Sequence, residues 1–393
     1  MKKSKKVIIF SLAYLPRFIG GAEIAVKEIT SRISGDDVEF DMITARLDSA
    51  DPVFERVGNV NVYRVGVSKH NPTSRELAGF PLYLNKVFFP ILAFVKAVQL
   101  HRKRPFDSIW AMMSYMGFPA LFLKFFYPKI RFVLTLQDGD SPEHIIGRKR
   151  IKAVSFLYNK IFRTADAIQA ISGFLADFAR ARGARCPVWT IPNGVDTSKF
   201  KAQISKLKSD EIRKNFGIRQ NDISLVTSSR LVAKNGVEDI IDAMKFLDEN
   251  IKLMIAGSGE LENELKEKTA KLGLSGRVFF AGYVDHDDLP AYLNASDIFI
   301  RPSLSEGMGN SFIEAMAAGV PVIATPVGGI PDFLHDGETG IFCEVKNPRS
   351  VAEKVNMIIT DPELRARLIR NGEKLARDKY NWSDISVQIR SLL

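Results

Sequence analysis

The stretch at residues 303–329, SLSEGMGNSFIEAMAAGVPVIATPVGG, passes from a glycine-containing loop through a short helix into an apolar strand. Ser311 and Glu314 have the spacing of a capping box, which predicts a helix that begins at Phe312. Gly319 is typical of the position just past a helix end, and residues 320–324 are predicted to form a short buried strand. Because a helix N-terminus presents unbonded N–H groups and a partial positive charge, this stretch predicts an anion site, with phosphate the usual ligand.

Two carboxylates accompany this change of structure. Glu306 lies in the loop and Glu314 lies at the start of the helix, eight positions later. Gly307 and Gly309 allow a ligand to approach the backbone closely. Taken alone, Glu306 is also consistent with a solvated loop acid, and Glu314 with a capping residue.

Strands and helices alternate on both sides of this stretch. In the first half, strands are predicted at residues 6–13, 131–137, 167–171 and 187–192, with helices after the Gly20-Gly21 turn (22–33) and from Ser172. After residue 195 the cycle restarts, with strands at 224–228, 252–256, 278–281 and 298–301, a helix at 236–247, and a second helix that follows the Gly257-Ser258-Gly259 turn and runs to Leu272. The polar, lysine-rich residues 199–214 are interpreted as the crossing between two domains. Such alternation predicts two parallel sheets covered by helices, with ligands in a cleft at the carboxyl ends of the strands.

Charge is distributed unevenly along the 393 residues, whose net charge is +10. Residues 1–195 carry 29 basic and 16 acidic side chains, a net charge of +13, whereas the remainder carries 26 and 29, a net charge of −3. The basic half therefore predicts an anionic partner, such as membrane lipid or a phosphorylated substrate. Nucleic acid is disfavoured, because no recognition motif accompanies the charge.

The two cysteines and five histidines form no disulfide or metal-ligand pattern, which favours a reducing compartment and no metal site. The first residues, MKKSKK, lead into too short an apolar run for a signal peptide.

Residues 80–100, FPLYLNKVFFPILAFVKAVQL, are the most apolar long stretch and end against His-Arg-Lys-Arg. Lys86, Lys96, Asn85 and Pro90 interrupt it, so a membrane-spanning helix is not expected. Two interpretations stay open. One is an amphipathic segment that lies on a membrane surface, and the other is an ordinary core helix with an exposed basic end.

Five short motifs, in this order and spacing, give the chain a resemblance to retaining GT-B glycosyltransferases of the GT4 family over essentially its whole length. They are GGAE at 20–23, IPNGVD at 191–196, SRL at 229–231, GSG at 257–259, and the stretch at 303–329 with its Glu-x7-Glu pair. The resemblance implies an α/β GT-B fold, in which two Rossmann-like domains face each other across a cleft. It places an acceptor-binding domain at 1–195, a nucleotide-sugar-binding domain at 196–375, and a C-terminal helix at 376–393 that packs back toward the first domain.

The same resemblance implies roles for the residues around the donor. Glu314 would accept hydrogen bonds from the ribose hydroxyls, and Glu306 would contact the donor sugar near the reacting carbon. The main-chain N–H groups of Met308, Gly309 and Asn310 would bind the diphosphate.

Other motifs would contact the donor from neighbouring loops. Arg230 would stabilise the leaving diphosphate as a cation. Gly20 and Gly21 would lie across the cleft, close to the diphosphate and sugar. Gly257 and Gly259 would lie near the nucleotide, and are equally consistent with a simple strand-to-helix turn.

The chain departs from the family pattern at two positions. Where the family usually has a lysine, this chain has Asn235, and either Lys234 takes over or the diphosphate has one cation fewer. Where the family has His-Asp, this chain has Gln137-Asp138. Glutamine cannot act as a general base, although it can hydrogen-bond a sugar hydroxyl. In front-face retention the leaving phosphate oxygen takes the acceptor proton, so transfer is not forbidden. Asp138 and Asp140 are candidates for acceptor contact or for loop capping.

These observations predict a cytoplasmic enzyme, peripheral on the inner face of the cell membrane, that takes part in polysaccharide biosynthesis. It would move a sugar from a UDP- or GDP-linked donor to a lipid-linked or surface-glycan hydroxyl, with no cofactor beyond the donor. Two alternatives stay open. Gln137 and Asn235 are also consistent with a catalytically silent sugar-nucleotide-binding subunit, and the same fold is consistent with a nucleotide-sugar epimerase. The epimerase would need acid and base side chains around the sugar, which the sequence does not offer.

Overall fold

The computed structural model describes residues 4–16, 20–72, 76, 79–140, 147, 155–200 and 202–393. The chain divides into a first unit, Met1–Asn193 with Trp382–Leu393, and a second unit, Gly194–Asn381. Each unit is built around one sheet.

An eight-stranded sheet forms the first unit, in the order β3-β4-β2-β1-β5-β6-β7-β8. All neighbouring strands pair in parallel except β3 and β4. The strands are β1 (Lys5–Phe10), β2 (Val38–Ala45), β3 (Phe54–Val57), β4 (Val60–Val65), β5 (Ser108–Met112), β6 (Arg131–Leu136), β7 (Ala167–Ala170) and β8 (Val188–Thr190). Because parallel strands need crossover connections, helices cover the sheet and its central strands are apolar runs.

The described helices of the first unit are α1 (Gly21–Ser31), α2 (Tyr83–Lys103), α3 (Gly117–Phe126), α4 (Ser155–Thr164), α5 (Gly173–Ala181) and the C-terminal α13 (Trp382–Leu392). The helix α13 packs against α1, and its apolar face joins the core formed by β1, β2 and α1. The chain end is also tied to the sheet, because Arg131 Nε donates to the carbonyl oxygen of Leu392 at 2.6 Å. The last helix of the chain therefore belongs to the core of the first unit.

A six-stranded, all-parallel sheet forms the second unit, in the order β11-β10-β9-β12-β13-β14. Its strands are β9 (Ile223–Ser228), β10 (Ile251–Ala256), β11 (Val278–Gly282), β12 (Ile298–Arg301), β13 (Val322–Ala324) and β14 (Ile341–Phe342). Its helices are α6 (Ala202–Asn215), α7 (Val237–Ala243), α8 (Glu262–Lys271), α9 (Leu289–Asn294), α10 (Asn310–Ala317), α11 (Pro348–Thr360) and α12 (Pro362–Lys379).

The α/β class and the parallel sheets expected from the sequence are confirmed, with strand ends displaced by a few residues. The polar, lysine-rich residues 199–214, interpreted from the sequence as the crossing between two domains, are mostly helical. They form a 3₁₀ turn (Thr197–Phe200) and the helix α6, which packs on α9. Ser209 Oγ and Arg213 Nη1 donate to the carbonyl oxygens of Ala291 and Ala295, so tertiary contacts hold a helix whose composition is that of a solvated segment.

Most of the apolar stretch at residues 80–100 lies in one continuous helix, α2, which includes Asn85 and Pro90. A proline within a helix leaves the carbonyl four residues earlier without its donor. Here that carbonyl belongs to Lys86, and the hydroxyl of Tyr115 donates to it. Asn85 is buried and bonds both backbone groups of Val67. Both residues are thus accommodated by partners outside the helix.

The packing of α13 predicts that the first unit depends on Trp382. Trp382 is 3% exposed in the core, whereas Trp189 on β8 is 52% exposed. Removal of a buried aromatic side chain typically costs about 3–5 kcal/mol, and a surface substitution changes stability by about 0.5 kcal/mol at most. We therefore expect Trp382→Ala to lower the denaturation midpoint of the first unit strongly, and Trp189→Ala to leave it nearly unchanged. Hydrogen exchange during urea unfolding measures this, and equal effects of the two variants would show that α13 is not part of the core.

Candidate functional site

The second sheet has a topological switch point between β9 and β12. The chain leaves β9 toward β10 on one side, and β12 lies on the other side. In parallel α/β sheets, the carboxyl ends of two such strands border the ligand-binding crevice. The loop after β9 (residues 229–236) and the loop after β12 (residues 302–309) therefore define the candidate site.

Glycine lets these two loops pack backbone against backbone. Gly236 has φ +66°, and a Cβ atom there would lie 2.1 Å from the carbonyl oxygen of Pro302. The amide of Leu304 donates to the carbonyl of Lys234 at 2.6 Å. Any other residue at position 236 would separate the loops that carry the site.

Gly257 and Gly259 let the loop after β10 pack closely against the loop after β9. A Cβ on Gly257 would lie 1.9 Å from the carbonyl oxygen of Ser229, and one on Gly259 would lie 2.4 Å from that of Leu231. The amide of Leu231 also donates to the carbonyl of Ser258 at 2.9 Å. These glycines are required by loop packing, whichever ligand the site takes.

Arg301, the last residue of β12, organises the loop that follows. Its guanidinium is buried and lies over the ring of Phe312, with Cζ 4.3 Å from the centroid. Nε donates to Ser303 Oγ at 3.2 Å, Nη1 donates to Ser311 Oγ at 2.7 Å, and Nη2 pairs with the Oε2 atom of Glu306.

Glu306 is held from two further directions. Its Oε1 atom accepts from the amide of Gly307 at 3.0 Å, and its carbonyl oxygen accepts from the amide of Gly329, in the loop after β13, at 3.1 Å. The solvated loop acid considered from the sequence is therefore wrong, because only 13% of the Glu306 side chain is exposed.

Glu314 lies on α10 and pairs with a histidine from another loop. It is 6% exposed, and its Oε1 atom is 2.9 Å from His286 Nε2, in the loop between β11 and α9. The hydrogen bond to Glu314 raises the pKa of His286, against the opposing effect of burial. The two side chains form a partly buried acid–base pair between the middle of α10 and the loop after β11.

The predicted capping box is wrong. The helix α10 begins at Asn310, with Gly309 at the N-cap and no side-chain cap hydrogen bond. The Ser311 hydroxyl and the Glu314 carboxylate, which the box would pair with the backbone, are bonded to Arg301 and His286. Arg301 and His286, which lie on other elements, bind the two side chains that the capping box would use.

The start of α10 carries the main-chain groups expected to bind diphosphate. Gly309 has φ +85°, and a Cβ there would lie 2.6 Å from both Arg301 Nη2 and the Phe312 ring. Met308 is buried, and Asn310 is half-buried as the first helical residue. Glycine is thus needed for the chain to enter the helix above Arg301.

The predicted cations of the β9 loop differ in environment. The Arg230 side chain is exposed, and no ion pair or hydrogen bond of its guanidinium occurs within the part of the chain that the structure describes. Lys234 is half-buried in a 3₁₀ turn (Ala233–Asn235). Asn235, at the position where a lysine was expected, is buried and donates to the carbonyl of Arg230 at 2.7 Å. It therefore shapes the turn that presents Arg230.

The predicted residues of the first unit lie at the carboxyl ends of its strands. Gln137 follows β6, and its Oε1 atom accepts from Asn193 Nδ2 at 3.0 Å. Asp138 accepts from the amide and the hydroxyl of Ser114, each at 3.2 Å, which makes it a cap of the turn after β5. Asp140 is half-buried close by in sequence.

Gly20 and Gly21 follow β1, the strand at the switch point of the first sheet, and α1 begins at Gly21. A Cβ on Gly20 would lie 2.6 Å from Glu23 Oε2. The GGAE motif therefore opens a helix whose first turn contains an acid.

Sequence reasoning missed two residues of the site, Arg301 and His286. Arg301 had a signal, because a charged side chain ends an otherwise apolar strand and precedes Glu306 by five positions. His286 had none, because its partner is 28 positions away and the intervening residues form α9 and β12. Among the described residues, no group of three or more histidine, cysteine, aspartate or glutamate side chains could hold a metal ion.

Two parallel-sheet units, with site loops at the switch point of the second, define the class of GT-B glycosyltransferases. A family model described as "Glycosyltransferase Family 4" matches residues 19–199, and one described as "Glycosyl transferases group 1" matches residues 208–375. The chain therefore belongs to the glycosyltransferases that these two models describe, one model for each half of the chain.

Relatives and solved structures match over long stretches. An uncharacterized glycosyltransferase of Methanocaldococcus jannaschii is 26% identical over 396 residues, which cover 97% of this chain and 96% of that protein. The GDP-mannose-dependent alpha-(1-6)-phosphatidylinositol monomannoside mannosyltransferase of Mycobacterium tuberculosis is 26% identical over 261 residues. These cover 64% of this chain and 67% of that protein. Sucrose-phosphate synthase from Thermosynechococcus elongatus has a similar fold, with a TM-score of 0.82 at 21% identity, covering 99% and 98%.

The His286–Glu314 pair predicts a pH-dependent contribution to stability. Because the pKa of His286 is raised above its ordinary value of 6.5, the pair stabilises the fold fully below that value and loses this effect as the pH rises through the raised pKa. We expect His286→Gln to destabilise the second unit by about 1 kcal/mol near pH 6 and by clearly less near pH 9.

Urea unfolding of the second unit at both pH values measures this difference. His335→Gln is the matched control, because His335 is exposed in the same unit. A destabilisation by His286→Gln that is equal at both pH values would contradict a charged pair.

Proposed function

We propose that this glycosyltransferase moves a sugar from a nucleoside-diphosphate sugar to a hydroxyl of a lipid-linked or surface-glycan precursor, with retention of the anomeric configuration. The observation that carries the proposal is the gathering of Arg230, the start of α10, Glu306 and Glu314 on two interlocked loops and one helix at the switch point. This combination offers a cation, a helix N-terminus and two carboxylates, the groups that a diphosphate, a sugar and a ribose require.

Arg230 and the start of α10 suit the diphosphate. An exposed guanidinium loses little by turning toward a phosphate, and its fork matches two phosphate oxygens. The first amides of α10 add a partial positive charge at the same edge of the sheet. As the bond between sugar and phosphate breaks, charge grows on the leaving oxygens, so these groups would stabilise the transition state more than the ground state.

The two carboxylates suit the two sugar rings of the donor. Glu314 has one oxygen bonded to His286, and its remaining acceptor capacity can take ribose hydroxyls. Glu306 would lie nearer the reacting carbon, where positive charge develops on the donor ring.

Retention does not require a base at position 137. Gln137 cannot accept a proton, and its carbonyl oxygen is already bonded to Asn193. A leaving phosphate oxygen that takes the proton of the acceptor hydroxyl needs no base from the chain. No further cofactor is proposed for this reaction.

Donor binding and transfer test the function together. We expect UDP or GDP, and one of their sugars, to raise the melting temperature of the purified protein, because a ligand that binds only the folded state stabilises it. The radiolabelled donor that binds should lose its sugar to a membrane-lipid extract, with retention visible in the anomeric NMR signal. Binding without turnover would support a silent binding subunit, and epimerised donor would support an epimerase.

Substitutions of the two glutamates are expected to change different kinetic constants. Glu314→Gln should mainly raise the donor KM, because a ribose contact is made equally in the ground and transition states. Glu306→Gln should lower kcat by about 10²-fold, because its interaction strengthens as positive charge develops. Glu267→Gln, an exposed acid on α8, is the control for loss of charge alone. Equal small rises in KM with unchanged kcat for both site variants would refute this division of roles.

A lipid-linked acceptor is also supported by the outward face of α2. Its inward residues pack on β2, β4 and α3, whereas its outward face is apolar: Tyr83, Val87, Phe88, Ile91, Leu92 and Val95 are all exposed. Phe125 and Phe126, at the end of α3, are exposed beside it, and Phe126 stacks on Phe94 at 5.4 Å. A contiguous apolar surface of this kind is typical of a membrane or partner contact.

Charge next to this face favours an anionic membrane. Arg102 and Lys103 are exposed at the end of α2, and the first half of the chain has a net charge of +13. By length and composition α2 would also be able to cross a membrane, with 28% of its most apolar window buried. Because its inward face is part of the sheet's packing, we propose that it lies in the membrane surface, on the cytoplasmic side.

This contact predicts binding to anionic vesicles. We expect the protein to sediment with phosphatidylglycerol vesicles and to be partly released by salt, because the basic residues contribute about 1 kcal/mol each near the surface. Ile91→Glu should lower the partition constant by about tenfold or more, since a buried Ile contributes roughly 1.5–3 kcal/mol. Val387→Glu, at an exposed apolar position on α13, is the matched control. Equal partitioning of the two variants would exclude the α2 face as the contact.

A further inference from the structure

Arg301 is an unusual residue for the end of a buried strand. It follows Ile298, Phe299 and Ile300, all buried, and only 7% of its own side chain is exposed. A buried guanidinium is tolerated only when its charge and its N–H groups find partners. The partners here are Ser303, Ser311 and Glu306. Each of the three guanidinium nitrogen atoms therefore has a hydrogen-bond partner.

The location of this charge makes the partner carboxylate necessary. Arg301 lies at the start of α10, where the helix dipole disfavours a cation. Glu306 supplies the compensating negative charge, from the loop between the arginine and the helix. The arginine and the glutamate are therefore a unit, in which each offsets the burial of the other.

The same contact fixes the carboxylate. One oxygen of Glu306 is held by Arg301 and the other by the amide of Gly307, so the carboxylate plane is constrained from both ends. Each oxygen keeps capacity for one more hydrogen bond. Because the pair is electrically neutral overall, a diphosphate can bind nearby without being repelled by the carboxylate.

We propose that Arg301 is the positioning residue for Glu306: it aims this carboxylate at the donor sugar and neutralises it toward the diphosphate. The inference rests on the proposed function, since it deepens the role of Glu306 in the same site. Arg301 touches no substrate in this scheme and acts only through Glu306.

A double-mutant cycle tests the proposal. We expect Arg301→Met to lower kcat by about 10²-fold, close to the effect of Glu306→Gln. If Arg301 acts through Glu306, the double variant should be no slower than Glu306→Gln by more than about threefold, because coupled residues are not additive. Arg301→Lys keeps the positive charge but lacks the forked guanidinium. Its kcat should lie between that of Arg301→Met and that of the unmodified protein.

A purely structural role would give a different result. Arg277 is half-buried in the same unit and donates to the carbonyl oxygens of Leu247, Asp248 and Ile251. Arg277→Met should lower the melting temperature without changing kcat. If Arg301→Met behaves in the same way, or if its effect on kcat multiplies with that of Glu306→Gln, the proposal is overturned.

Two further arrangements keep the outcome decisive. Should Arg301→Met fail to fold, the cycle is run with Arg301→Lys, whose effect on kcat must disappear in the Glu306→Gln background. Should the unmodified, folded protein transfer no sugar, the proposed function fails and the pairing is tested separately. The cycle is then read from the nucleoside-diphosphate-induced rise in melting temperature, where additive shifts would overturn the pairing.

Discussion

The candidate site depends on the close approach of two loops at the carboxyl ends of β9 and β12. These strands are hydrogen-bonded neighbours, yet the chain leaves them in different directions, so the two loops must meet above the sheet. Their contact is made by backbone atoms, at Gly236 against Pro302 and at Leu304 against Lys234. Loop packing of this kind costs no side-chain entropy and leaves little freedom. The residues that the loops carry are consequently held by the sheet itself.

On this scaffold each of the two buried carboxylates has a nitrogen partner from a different element. Glu306 in the loop pairs with Arg301 on the strand, and Glu314 on the helix pairs with His286 from the loop after β11. Neither partner lies on the element that carries the acid. The strand, the helix and the loop must therefore be in place together before either acid acquires its orientation. This is a preorganised arrangement, which a site that stabilises developing charge requires.

The fold was predictable to the extent that short-range patterns determine it. Alternating apolar runs and glycine turns identified the parallel sheets, because a strand buried on both faces has to be apolar. The capping box was predicted wrongly because a distant side chain supplied a partner, and two helices depend on contacts of the same kind. The hydroxyl of Ser311 is taken by Arg301, which ends the strand ten positions earlier. The polar helix α6 is held by contacts to α9, about 80 residues away. The proline in α2 is accommodated by Tyr115. Sequence spacing carries no information about such contacts, whereas Gly309 and Glu306 were found from the stretch that contains them.

The hydroxyl of Tyr115 also joins two parts of the first unit that differ in surroundings. It is bonded to the carbonyl of Lys86 in the middle of α2, and it belongs to the turn after β5, whose first amide is bonded to Asp138. That turn follows Met113, which has the positive φ of +71° that a non-glycine residue adopts only when its neighbours impose it. Helix, turn and aspartate thus form a short mechanical linkage. A displacement of α2 relative to the sheet would have to stretch the tyrosine bond or shift the turn, so the position of α2 and the geometry at the carboxyl end of β6 depend on each other.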